Sequence, residues 1–263
     1  VEITILGCGA STGVPMIGQE MPPEMRANPK NFRLRVSVHI QGNTSLLIDT
    51  SPDLRQQALQ NNIKHLDAVL YTHTHADHIM GIDEIKAFNK LQNAPIDCYA
   101  SEQSITELTK HFDYCFAAPR PEYGWYRPCM IPHIIKPMEK FKAGEFEVLP
   151  FLQKHTPKLS AGGTGMDTLG FRIGDFAYST DVKSFPEESF PALENLDTWV
   201  IDCQSMTERP THLCLADTLG YIEKFRPKRA ILTHMGADMN YDKLQEILPQ
   251  NIEPAYDGMR FKL

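Results

Sequence analysis

The sequence predicts an α/β fold, on three observations. Short apolar runs bounded by turn residues alternate with stretches of helical spacing from one end of the chain to the other. No repeat, low-complexity tract or linker divides the 263 residues, so residues 1–263 are expected to form one domain. That length can bury two sheets, or one sheet covered by helices. Finally, histidines and aspartates recur just beyond the apolar runs, a placement from which distant residues can converge at one rim of a sheet.

Composition narrows the function classes. Hydrophobic residues at 42% and charged residues at 22% describe an ordinary globular chain. No apolar run approaches the ~20 residues of a membrane span. The start, Val1 to Gly9, lacks a basic leader and a long apolar core, so no signal peptide is expected. Six scattered cysteines without a Cys-x-x-Cys pair suit a reducing, cytoplasmic setting. A net charge of −7 argues against an extended basic nucleic-acid surface, though not against one small anionic substrate.

Taken in order, Glu2 to Leu6 reads as an opening strand that runs into the glycine-rich turn Gly7-Cys8-Gly9-Ala10-Ser11-Thr12-Gly13. Such a turn lets backbone approach a site closely, or simply ends a hairpin; no Gly-Lys-Ser/Thr follows, so it is not a P-loop. Pro15 to Lys30, with four prolines, reads as a surface loop. Arg33–Ile40 and Thr44–Ile48 form a hairpin across Gln41-Gly42-Asn43. Asp49 follows, placed either to hold a ligand histidine by its second nitrogen or to cap the short helix Pro52–Gln60.

Ala68–Tyr71 is a buried strand that gives way to His73, His75, Asp77 and His78 within six positions. Ile79, Ile82, Ile85 and Phe88 then recur at helical spacing, so the cluster sits on a strand-to-helix turn that can aim all four side chains at one small volume. Neutral imidazoles with a carboxylate suit zinc, manganese or iron. A strand near Ile96–Tyr99 and a helix from Ser101 toward Phe112 come next. Cys115–Lys140 shows neither period and reads as an inserted arm or lid at about 115–140. Its Arg120, Tyr123, Trp125, Tyr126 and Arg127 could clamp a phosphorylated substrate, form a homodimer contact, or anchor the arm to its own domain.

Glu145–Phe151 is a strand, with His155 four positions past its end. Thr168–Ile173 and Phe176–Ser179 form a hairpin that ends at Asp181, and Leu196–Ile201 is a strand capped by Asp202. Thr211-His212 precedes a helical run, Arg229–Thr233 is a strand ending in His234, Tyr241–Leu248 is a helix, and Met259–Leu263 closes the chain.

His73-Thr-His75-Ala-Asp77-His78 resembles the His-x-His-x-Asp-His signature of the metallo-β-lactamase-fold hydrolases, and Leu47-Ile48-Asp49-Thr50 looks like that family's early aspartate motif. The order of His155, Asp181 and His234 extends the resemblance over nearly the whole chain. It implies a four-layer αββα sandwich, the metallo-β-lactamase fold, holding two divalent metal ions, manganese or zinc ahead of iron. By resemblance His73, His75 and His155 hold one ion, Asp77, His78 and His234 the other, and Asp181 bridges them with a water. Asp49 would support from behind.

Thr211-His212 before a helix, followed by Leu232-Thr233-His234, looks like the superfamily's phosphodiesterase branch. That branch includes the phosphoribosyl cyclic phosphodiesterases and the tRNA 3′-processing endonucleases. The resemblance implies hydrolysis of a small, cyclic or nucleotide-type phosphodiester by a metal-bridged hydroxide, with Asp77 and His212 catalytic and His212 the general acid. Three departures stand out. Pro15–Lys30 lacks the cysteine cluster common in cyclic phosphodiesterases, and His212-Leu-Cys-Leu replaces the endonucleases' His-Glu-Ala-Thr, with no basic arm for a nucleic acid. His155-Thr156-Pro157-Lys158 departs from the His-Thr-Pro-Gly-His of glyoxalase II-type thioesterases. Those endonucleases and thioesterases, and an iron-dependent oxidoreductase or sensor, are the alternative readings.

Overall fold

Side-chain alternation decides which way each strand faces. In the strand Ser45–Ile48, Leu46 and Ile48 join one apolar cluster while Leu47 joins another, the period-two pattern of a strand buried on both faces. The computed structural model describes residues 1–120, 122, 124–156 and 165–263; Tyr123 and the Pro157-Lys158 after His155 lie outside the described residues.

One sheet holds β1 (Glu2–Gly7), β2 (Ser37–Gln41), β3 (Ser45–Ile48), β4 (Ala68–Leu70), β5 (Ile96–Ala100) and β6 (Met130–Ile134), with the chain's last strand, β14 (Met259–Lys262), beside β1. The other holds β7 (Phe141–Ala143), β8 (Phe146–Thr156), β9 (Met166–Ile173), β10 (Phe176–Ser179), β11 (Thr198–Asp202), β12 (Arg229–Thr233) and β13 (Ile252–Pro254), in that order. Both sheets are mixed. The first is antiparallel up to β3 and parallel from β3 to β6. The second is antiparallel up to β10 and parallel from β10 to β13.

Between the sheets, Ile3, Val38, Ile40 and Ile48 pack in one cluster with Phe151, Phe171, Phe176 and Trp199. Among the described residues eight helices lie outside: α1 (Pro23–Arg26), α2 (Leu54–Asn61), α3 (Ala76–Ile79), α4 (Ile85–Gln92), α5 (Glu102–His111), α6 (Asp113–Phe116), α7 (Leu215–Phe225) and α8 (Tyr241–Ile247). Leu54, Ile79, Phe88, Ile105 and Leu108 cover the first sheet through Leu47 and Val69. Leu215 and Ile222 of α7 and Leu244 of α8 pack with the second. This is the αββα sandwich.

Several expectations need correction. The stretch 115–140 is not an arm throughout. Cys115 is buried in α6, and Met130–Ile134 is the edge strand β6. Between them, Arg127 donates to the carbonyls of Tyr114, Ala117 and Ala118 at 2.7, 3.1 and 2.6 Å, tying its part of the stretch to its own domain. The loop 15–30 contains the short α1 and part of a 3-10 turn at Pro29–Asn31. His155 does not follow its strand but lies inside β8, next to a register shift between Lys154 and Thr156. The ligand helix is broken into α3, a 3-10 turn and α4. The break falls at Gly81, whose N–H donates to the Thr50 carbonyl at 2.9 Å. A Cβ at Gly81 would lie 2.0 Å from the Ser51 carbonyl oxygen.

Among the described residues no helix is long and apolar enough to cross a membrane. All six cysteines are free and buried.

Candidate metal centre

Parallel strands all present their C-terminal ends to one rim, and the candidate residues collect there. The turn after β4 supplies His73 and His75, and α3 supplies Asp77 and His78. From the second sheet come His155 in β8, Asp181 beyond β10 and His234 beyond β12. Among the described residues two groups of ligand-capable atoms share Asp181, namely His73, His75, His155 and Asp181, and Asp77, His78, Asp181 and His234; a third, Asp202, His212 and His234, meets the second at His234. Within each group they lie within 4.8 Å of one another, near the largest ligand–ligand span one ion permits, about 4.4 Å at ~2.2 Å per bond.

Asp181 belongs to both groups, one oxygen for each. Its Oδ1 faces His73 Nε2 at 3.8 Å and His155 Nε2 at 3.7 Å. Its Oδ2 faces His78 Nε2 at 3.0 Å and His234 Nε2 at 3.4 Å. Asp77 Oδ2 lies 3.2 Å from His78 Nε2 and 3.8 Å from His234 Nε2. His73 Nε2, His78 Nε2, His234 Nε2 and Asp77 Oδ2 are buried and none makes an aligned hydrogen bond. Buried polar atoms without partners are costly, and four of them converging is what a cation would satisfy. The donors are imidazole and carboxylate with no thiolate, which suits a divalent ion of zinc or manganese type.

The far side of each ring shows which nitrogen is free. His78 Nδ1 donates to Asp49 Oδ2 at 2.7 Å, and Asp49 also accepts from the Thr72 N–H and hydroxyl, both at 2.8 Å. With its hydroxyl proton given to Asp49, Thr72 Oγ1 accepts from His73 Nδ1 at 3.0 Å. His155 Nδ1 donates to the Thr211 carbonyl at 2.8 Å. Each of these rings thus turns its Nε2 to the centre. Asp49 resolves the choice left open by sequence: it orients His78 and does not cap α2, whose N-cap is Asp53.

Burial holds His73 and His75 below the ordinary imidazole range and His155 at about 4, against the pull of Asp181. It acts the same way on His78 and His234. There the carboxylates of Asp181 and Asp77 outweigh it, pushing His234 up to about 9 and His78 well above its usual value. The second group therefore calls for positive charge, which a divalent ion supplies in exchange for protons.

His212 is in neither of the Asp181 groups but forms the third with Asp202 and His234. Its ring stacks on His234 at 4.7 Å and meets His155 edge-on at 4.7 Å. Its Nε2 lies 4.0 Å from Asp181 Oδ1, and its Nδ1 donates to Asp202 Oδ2 at 3.0 Å. Asp202, which sequence reasoning passed over as a strand cap, is the carboxylate that the His212 ring meets. Its signal was its likeness to Asp49, a carboxylate at the end of a buried parallel strand. Thr72 and Thr211 carried no signal, since their roles exist only through folded contacts. Of the seven clustered residues only His75 is half-buried rather than buried, and Ala76 beside it is exposed, so the centre meets solvent on that side.

Residues 44–235, nearly three quarters of the chain, match the family model of the beta-lactamase superfamily domain. A crystal structure of a diphosphatase from the PhnP family is 32% identical, with a TM-score of 0.87, covering 100% of this chain and 97% of that one. The zinc-bound PqqB structure from Methylobacterium extorquens is 17% identical with a TM-score of 0.80, covering 100% of both chains, a likeness of fold alone. A Porphyromonas gingivalis protein named octanoyltransferase is 30% identical over 97% of this chain, yet the match covers 50% of that protein. The chain thus spans half the length of this relative, whose name describes a protein about twice as long. Family model, sandwich and rim geometry agree: the chain belongs to the beta-lactamase superfamily, with the metallo-β-lactamase fold and in the branch of the PhnP-family structure.

Proposed function

We propose that the protein is a dinuclear metal-dependent phosphodiesterase acting on a small, cyclic or nucleotide-type phosphodiester. The observation that supports this most is Asp181, whose two oxygens face two separate histidine groups. His73, His75, His155 and Asp181 would hold one ion and Asp77, His78, His234 and Asp181 the other. Two such ions supply an acidified water and neutralise charge building on phosphoryl oxygens. The likeness to a PhnP-family diphosphatase favours phosphoryl chemistry over thioester chemistry.

The chain's own residues do the rest. Asp49 and Thr72 fix the rings of His78 and His73. Asp202 accepts from His212 Nδ1, which leaves Nε2 at the rim to carry a proton to the departing oxygen. His155 and His234 wall that ring on two sides, so it has little freedom to turn away.

The test is His212→Ala. Metal content, measured by elemental analysis, should stay at the wild-type level. Cleavage of an alkyl phosphodiester should slow by about 10²–10⁴-fold, with a much smaller loss for an activated aryl ester whose leaving group needs little protonation. His78→Ala should lose metal and both activities. Loss of a metal in His212→Ala, or equal slowing on both substrates, overturns the acid assignment.

A further inference from the structure

The glycine-rich turn after β1 has two readings in sequence, a close backbone approach to a site or the plain end of a hairpin. Its contacts decide for the first. Gly9 is bridged on one side to Arg35, in the segment leading into β2, and on the other to Met235, directly after His234. The Met235 N–H donates to the Cys8 carbonyl at 2.8 Å, and the Ala10 N–H donates to the Met235 carbonyl at 3.1 Å. On the other side the Gly9 N–H donates to the Leu34 carbonyl at 2.8 Å. A short ladder thus crosses the rim from the first sheet to the second. Glycine permits the approach: a Cβ on Gly7 would lie 2.1 Å from the Arg35 carbonyl oxygen. One on Gly9 would lie 2.9 Å from Arg33 Cβ and 3.0 Å from the carbonyl oxygens of Arg33 and Leu34, none of them the far end of a flexible side chain.

Arg33 closes this frame from the other side. Its backbone pairs with Val14 in both directions, at 2.8 and 2.9 Å. The residue is 2% exposed. Its guanidinium donates to the carbonyls of Gly236 at 3.2 Å and Met239 at 2.5 Å, and to Asn31 Oδ1 at 3.4 Å. A buried charge is costly unless its donors are used, and here they hold the main chain that follows His234. Asp257 ties the same pieces together, accepting from the N–H groups of Cys8 at 3.1 Å and Leu34 at 2.7 Å. His234 depends on such a frame more than the other rings do. Its backbone is left-handed, with φ 58°. Among the described residues its Nδ1 has no hydrogen-bond partner, whereas Asp49, Thr72 and the Thr211 carbonyl hold His78, His73 and His155 from behind. The main chain therefore sets where the His234 ring points.

We propose that Gly9 and Arg33 are positioning residues for His234, fixing residues 235–239 so that its ring meets Asp77, His78 and Asp181 and sets the affinity of the ion held there. The effect on an ion rests on the two-ion reading above; the hold on His234 does not. Neither residue takes part in the bond-breaking step.

The experiment has two arms. In metal-free protein with isotope-labelled histidine, long-range proton–nitrogen spectra report the His234 ring, identified by its loss in His234→Ala. Arg33→Met and Gly9→Ala should shift or broaden that signal and leave in place those of His65 and His133, which pair with Asp67 and Asp97 away from the frame. Calorimetric titration with manganese should show two ions on the wild type, one of them lost in His234→Ala. Arg33→Met should weaken that same ion by about 10–100-fold, the scale for residues that orient a ligand, and the other ion much less. Arg33→Lys, with one ammonium for two carbonyls, should fall between, and carries the comparison if Arg33→Met does not fold. Leu108→Ala, which opens a cavity in the other apolar cluster, should lower stability in urea and leave both ion affinities unchanged. An unmoved His234 signal in the Arg33 and Gly9 variants overturns the frame, as does a Leu108→Ala that weakens the same ion as strongly. Fewer than two ions on the wild type, with the His234 signal displaced in the variants, rejects the two-ion reading and sustains the frame.

Discussion

Asp49, Asp181 and His234 share a backbone conformation that L-residues rarely adopt, with φ of 61°, 52° and 58°. Asn62, Asn93 and Arg226 also have positive φ, but they end helices, where that conformation is routine. The first three do not end helices. They stand just after β3, β10 and β12 and kink the chain so that a side chain turns across the rim. Left-handed backbone at non-glycine residues clusters at functional sites because the surrounding structure must hold it there, and Asp and Asn tolerate it better than other L-residues. This separates two contributions at Asp49. Asp49→Asn and Asp49→Ala both remove the carboxylate that orients His78, so both should bind metal more weakly, by about 10–100-fold. Only alanine also meets the left-handed penalty, so Asp49→Ala should be less stable than Asp49→Asn by about 1–2 kcal/mol in urea denaturation. Equal stability of the two variants would show that the kink carries no cost at this position.

At the scale of the element, the legible parts were those whose chemistry is local. The run before His73, the hairpins and the N-cap of α5 all announce themselves. Ser101 accepts from the Ser104 N–H at 3.1 Å, as a serine ahead of a helix should. What stayed hidden were elements set by distant neighbours. β6 contains Pro132 and exposes Ile131 and Ile134, so it lacks clean alternation. It survives as a strand because it is an edge, where a missing N–H costs little. β13, ending in Pro254, is the same case on the other sheet. The ligand helix misled for another reason. Its apolar spacing runs through Gly81, and only the fold reveals that the Ser51 loop presses against that glycine. Gly81→Ala should therefore cost about 1–3 kcal/mol, the usual range for overpacking, despite alanine's better helix propensity. Because α3 carries Asp77 and His78, the same variant should bind metal more weakly. A variant as stable as the wild type would mean that the Ser51 loop yields freely.

At the scale of the molecule, the two sheets follow one plan, antiparallel at first and parallel after a switch strand, and each switch strand is followed within two residues by an aspartate with left-handed backbone. Asp49 after β3 supports a ligand-bearing ring, whereas Asp181 after β10 faces both histidine groups directly. The site was readable in sequence because its residues lie in or just beyond a strand or, for Asp77 and His78, in the short helix that follows one. The pairing of those residues came through resemblance, since no spacing in the chain relates His73 to His155. Each of the two groups draws side chains from both sheets, so bound ions would act as cross-links between the layers. Ligands that bind only the folded state stabilise it by about 4 kcal/mol at a thousand times Kd, which in a chain of this size corresponds to roughly 8–16 °C in Tm. Chelation should therefore lower Tm by about that much, and readdition of manganese or zinc should restore it. Asp181→Asn, which keeps the side-chain shape and tolerates the same backbone, should lose at least half of that metal-dependent increment because both groups share the carboxylate. If chelation leaves the wild-type Tm unchanged, or shifts Asp181→Asn equally, the ions do not join the sheets through Asp181.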